Sequence, residues 1–143
     1  MSETTEIMVP DLQASLLCDD VRQEINGKFI LIGLFEGIAV PAYPAVFQRI
    51  CLVNRWCCGR GTFKQKSRII KPDGTTPLVE GKEVVVEFQN ESVTATSVEF
   101  FINVKFEIPG MYWIEILLDG DIKIRYPLKA TILNIQRPQQ GAS

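Results

Sequence analysis

The stretch from Phe106 to Ile124 constrains the fold more than any other part of the chain, because it spells out a β-hairpin. Tyr112, Ile114, Ile116 and Leu118 recur with period two, which puts them on one face of a strand, while Met111, Trp113 and Glu115 fall on the other. Asp119-Gly120 then supplies a two-residue turn, since a twisted hairpin needs positive φ and Gly adopts it without steric cost. Ile122, Ile124, Tyr126 and Leu128 resume the apolar face, with Lys123, Arg125 and Lys129 opposite. Pro127 has no backbone donor, so this last strand is expected at a sheet edge or at a bulge.

Upstream, Pro109-Gly110-Met111-Tyr112 resembles the corner leading into the penultimate strand of immunoglobulin-like sandwiches, where a Tyr hydroxyl bonds back to the loop. An ordinary buried Tyr after a turn is the alternative. Antibody domains carry a Cys two positions after that Tyr; here the position is Ile114, so their inter-sheet disulfide does not carry over.

Other strands are expected over Leu12–Cys18, Lys28–Phe35, Phe47–Cys57, Thr62–Ile70 and Glu83–Phe88, with a long one through Val98, Phe100, Ile102, Val104 and Phe106. Asn26-Gly27, the loop Pro41–Pro44 and the turn Lys71–Gly74 punctuate them. Phe29-Ile30-Leu31-Ile32 is apolar on both faces, which suits a central strand or one covered by a loop or a partner. Val46–Ile50 is the one short stretch that also reads as a helical turn. The pattern predicts an all-β fold, a two-sheet antiparallel immunoglobulin-like β-sandwich of about 7–8 strands, with a small barrel as the other closure. Its expected core includes Tyr112, Ile114, Ile116, Phe100, Ile102, Val104, Leu31 and Phe29. One domain is expected over residues 11–135, preceded by an arm (1–10) and followed by a tail (136–143).

The segment Leu16–Phe35, with its Cys18-Asp19-Asp20-Val21-Arg22 and Asn26-Gly27-Lys28 elements, resembles a family of small bacterial β-sandwich proteins of unknown function. The Pro72-Asp73-Gly74 turn and the Pro-Gly-x-Tyr corner extend that resemblance over most of the chain. It implies a bacterial sandwich and brings no activity, cofactor or catalytic residue with it.

The 143 residues include no apolar run near the roughly 20 that cross a bilayer. The start, Met1-Ser2-Glu3-Thr4-Thr5-Glu6, is acidic where a secretory signal is basic and then apolar, so a soluble cytoplasmic protein is expected. Reduced thiols follow for Cys18, Cys51, Cys57 and Cys58. Cys18 and Cys51 lie among apolar residues and read as small core side chains. Cys57 and Cys58 are adjacent, so a strand sends them to opposite faces, and their spacing matches no familiar zinc pattern.

There is no His, which removes the commonest general base near neutral pH and the commonest metal ligand. Gly59-Arg60-Gly61 opens no helix that would hold a phosphate. Asp19, Asp20 and Glu24 are the one compact acidic group; they read as a solvated turn or, alternatively, as part of a divalent-metal site completed by other oxygens.

Charge is unevenly distributed. Arg49, Arg55, Arg60, Lys64, Lys66, Arg68 and Lys71 lie between Gln48 and Pro72 with no acidic residue among them, a local balance of +7 on a chain of net −2. Lys64, Lys66 and Arg68 share one strand face, which must be exposed or covered by acidic groups. Lysines at a sheet edge also discourage unwanted pairing. With Trp56 and Phe63 nearby, the cations resemble a single-stranded nucleic-acid surface as well. The expected function is a noncatalytic binding or assembly module, acting through a sandwich face, edge or loops on a protein partner, an acidic surface or another copy of itself. The alternatives are a metal-dependent enzyme using Asp19, Asp20 and Glu24, and a nucleic-acid binder using the basic strand. Reversing Lys64, Lys66 and Arg68 to Glu is expected to leave the fold intact.

Overall fold

A computed structural model describes residues 6–134, so the expected tail over 136–143 and the first part of the arm lie outside the described residues. Ten strands form the domain: β1 (Asp11–Gln23), β2 (Phe29–Phe35), β3 (Gly37–Val40), β4 (Ala45–Cys57), β5 (Gly61–Ile70), β6 (Pro77–Glu80), β7 (Val84–Phe88), β8 (Ala95–Phe106), β9 (Gly110–Leu118) and β10 (Asp121–Ile132). They make a four-stranded sheet, β2-β1-β4-β8, and a second sheet in the order β3-β10-β9-β5-β6, with β7 also pairing β5. Two packed sheets whose chain crosses from β4 to β5 and from β8 to β9 give the immunoglobulin-like sandwich that the pattern predicts. The strand count is corrected from eight to ten. β3 and β6 are four residues each, too short to show a period of two, and β3 joins by parallel pairing with β10. Val46–Ile50 is strand, not helix.

The hairpin forms as its sequence dictates. Asp119 (φ 49°) and Gly120 (φ 85°) both take left-handed conformations, the geometry that continues the twist of the flanking strands. β10 pairs β9 from Asp121 to Ala130 but meets β3 only from Lys129, so among the described residues Pro127 lies on the stretch of β10 with no second neighbour. The Tyr corner is present: the Tyr112 hydroxyl donates to the Ile108 carbonyl at 2.7 Å. Its ring meets Phe106 edge-on, centroids 4.8 Å apart.

The core between the sheets holds Leu17, Ile50, Leu52, Trp56, Phe63, Ile69, Phe101, Val104, Phe106, Tyr112, Ile114 and Ile116, among others. Of the expected core, Phe100 and Ile102 are instead exposed, at 48% and 58%, while Leu31 and Phe29 are only partly buried. The reason is a change of face within β8. Phe106 and Val104 point inward, Asn103 takes a positive φ of 53°, and beyond it Phe101 is the inward residue. The paired strand follows: Phe47 packs on the core, and the next inward residue is Ile50, three positions on. Because Phe100, Phe101 and Ile102 are all apolar, alternation alone could not reveal the switch.

Candidate interaction surface

Both edge strands of the four-stranded sheet expose apolar side chains. β2 presents Ile30, Ile32 and Leu34, alternating with the partly buried Phe29, Leu31 and Phe35; β8 presents Phe100 and Ile102. β2 is therefore an edge, not the central strand that its two apolar faces suggest, which leaves cover by a loop or partner as the surviving expectation. After the pair Cys18↔Cys51, β1 has no further partner in β4 and continues with β2 alone. From this hairpin extension Val21 and Leu31 pack onto Cys18, Cys51 and Val53, a second small core separate from the main one. Arg49 links β8 to the β1 part of this extension: its guanidinium lies 5.5 Å from the Phe100 ring centroid and donates to Asp20 at 2.8 Å. Asp20 also accepts from Arg22 at 2.9 Å and from its neighbour's amide, and these hydrogen bonds hold its carboxyl below the usual range.

The seven sequence cations do not form one surface. Arg49 and Arg55 point outward from the four-stranded sheet, Arg55 bonding Thr96, whereas Lys64, Lys66 and Arg68 belong to the opposite sheet. Arg60 makes a two-oxygen contact with Glu91 at 3.0 Å. Lys66 and Arg68 reach Glu80 at 3.7 and 3.6 Å. Arg68 further donates to Glu115 at 2.7 Å, and Arg125 to the other Glu115 oxygen at 3.1 Å, while Arg125 stacks 4.7 Å from the Trp113 ring. Lys66 and Arg68 of the basic strand are thus covered by acidic groups rather than open. Lys64 and Lys71 make no ion pair among the described residues.

Asp19, Asp20 and Glu24 are not gathered either. Asp20 is held by two arginines, Asp19 lies against Gly33, and Glu24 accepts from Asn26; among the described residues no group of three or more acidic or Cys residues has metal-holding geometry. All four cysteines are free. Burial pushes the Cys18 thiol up to about 11, with the nearby Cys51 adding to the effect; Cys51 is raised by burial too. Cys58 is exposed beside the half-buried Cys57.

Polar groups also lie between the sheets. The Trp56 indole donates to Gln65 at 2.6 Å, Gln65 donates to Ser97 at 2.9 Å, and Asn54 donates to Ser67 at 3.1 Å. Next to them Glu99 Oε1 is buried with no hydrogen-bond partner. Desolvation raises this carboxyl, only partly offset by the Ser67 hydroxyl. A carboxyl that binds its proton more tightly folded than unfolded costs stability once ionised. Stability should therefore fall as pH rises from the unfolded value near 4.5 through the higher folded value. Glu99→Gln is expected to melt higher than the parent at pH 7, with the gap closing toward pH 4.5. Equal melting at both pH values would show that Glu99 carries no such penalty.

The architecture defines an immunoglobulin-like β-sandwich with apolar edges on one sheet and a charge-paired face on the other. The chain belongs to a family of unknown function, DUF6941, whose model matches residues 13–131. No curated protein matches it. Among the described residues no helix is long and apolar enough to cross a membrane.

Proposed function

We propose that this protein is a noncatalytic binding or assembly module that acts through the edges of its four-stranded sheet. The observation that carries this reading is the exposure of Phe100, Ile102, Ile30, Ile32 and Leu34 on the two edge strands, against a six-stranded sheet on which Lys66, Arg68 and Arg125 are taken up by Glu80 and Glu115. Aromatic and aliphatic side chains left in water beside arginines are what interface hot spots are made of. The partner is a protein with an apolar surface and acidic neighbours: Arg49 and Arg22 stand beside the apolar residues with side chains 45% and 70% exposed. Four free thiols favour a reducing bacterial cytoplasm as the setting.

The test is the affinity of the partner recovered from source cells, measured at two salt concentrations for the parent, Phe100→Asp and Lys64→Glu. Phe100→Asp should weaken binding by about ten-fold or more, with Lys64→Glu unchanged. The opposite pattern, with strong salt dependence, would move the interface to the basic strand and overturn the assignment.

A further inference from the structure

The free edge of β2 is self-complementary, and we propose that two copies of this chain pair their β2 strands antiparallel, joining the two four-stranded sheets into one of eight. The proposal deepens the assembly reading and rests on it. Among the described residues β2 ends the sheet order and pairs only β1, so one row of its backbone donors and acceptors has no strand partner there. Natural edge strands are usually blunted by lysines, prolines or bulges. Between Phe29 and Phe35 there is no charge and no Pro, only a left-handed Gly33 at φ 70°.

A two-fold axis at Ile32 pairs each residue with the one equally far on the other side. Ile32 then faces Ile32 of the second copy, Ile30 faces Leu34, Phe29 faces Phe35, and Leu31 faces Gly33. The exposed apolar residues of β2 thereby become cross-strand pairs instead of solvated side chains. Charge fixes the same register. Lys28 and Glu36 flank the strand, both are exposed, and neither enters an ion pair among the described residues. In this register Lys28 of each copy falls opposite Glu36 of the other, giving two opposite-charge pairs, one at each end. A partner strand from an unrelated protein has no reason to match both the apolar order and both terminal charges. Isologous pairing is the commonest form of self-association, and it needs only one patch to be complementary to itself.

The measurement is the solution mass of the full chain by light scattering and sedimentation across a concentration series. The parent should approach twice 16.1 kDa with rising concentration. Ile32→Lys, which sets two cations against each other on the axis, should weaken the dimer by about ten-fold or more while the protein melts as the parent does. Lys28→Glu and Glu36→Lys should each weaken it, and the double exchange should restore it, a recovery that loss of folding cannot imitate. A parent that stays monomeric at high concentration, a dimer indifferent to Ile32→Lys, or a double exchange that fails to recover would each overturn the proposal. Phe100→Asp should leave the mass unchanged, so partner binding and self-pairing fail separately.

Discussion

Trp56→Ala should cost about 3–5 kcal/mol and bring the domain close to unfolding at ambient temperature, since small domains hold only about 5–15 kcal/mol in all. The ring is fully buried at the end of β4, and its indole N–H donates to Gln65 across the sandwich. Removing it leaves a cavity and takes from the Gln65 carbonyl oxygen the shorter of its two hydrogen bonds, the Ser97 hydroxyl remaining as donor at 3.1 Å, so the cavity carries most of the cost. Phe100→Ala serves as the internal comparison. Alternation makes Phe100 a core residue with a loss as large as that of Trp56, but its ring is half in water, and the structure predicts a loss of about 1 kcal/mol or less. Denaturant melts of the two variants decide it: equal losses would put Phe100 back in the core and undo the face switch at Asn103.

Arg68→Glu should be nearly as damaging, about 3–5 kcal/mol, although Arg68 reads in the sequence as an outward surface residue. Glu115 has a side chain only 4% exposed and is held by Arg68 on one oxygen and Arg125 on the other. Reversing Arg68 sets a second carboxylate against one that cannot reach water, leaving Arg125 to hold both. This corrects the expectation that reversing Lys64, Lys66 and Arg68 spares the fold; Lys64→Glu alone is the surface change suited to a binding test. Arg68→Gln keeps a donor in reach of Glu115 and should lose less. If Arg68→Glu melts like the parent, Glu115 is not held by that pair.

The sequence was most legible where each residue has one physical option. The Asp119-Gly120 pair and the period-two recurrence of Tyr112, Ile114, Ile116 and Leu118 point to the hairpin, and the Pro-Gly before Tyr112 sets up its corner. Where several options carried equal weight, the sequence was silent. Phe100-Phe101-Ile102 can bury either of two faces, and Phe29–Ile32 can be a central strand or an edge. The seven cations likewise looked like one patch because they are near in sequence. The chain crosses between the sheets from β4 to β5, so β4 carries Arg49 and Arg55 to one side and β5 carries Lys64, Lys66 and Arg68 to the other. Local periodicity thus determined which segments are strands and that they form a two-sheet fold. Which face points inward, which strand is left at an edge and which charge meets which were decided only by tertiary packing, because each depends on partners that lie tens of residues away along the chain.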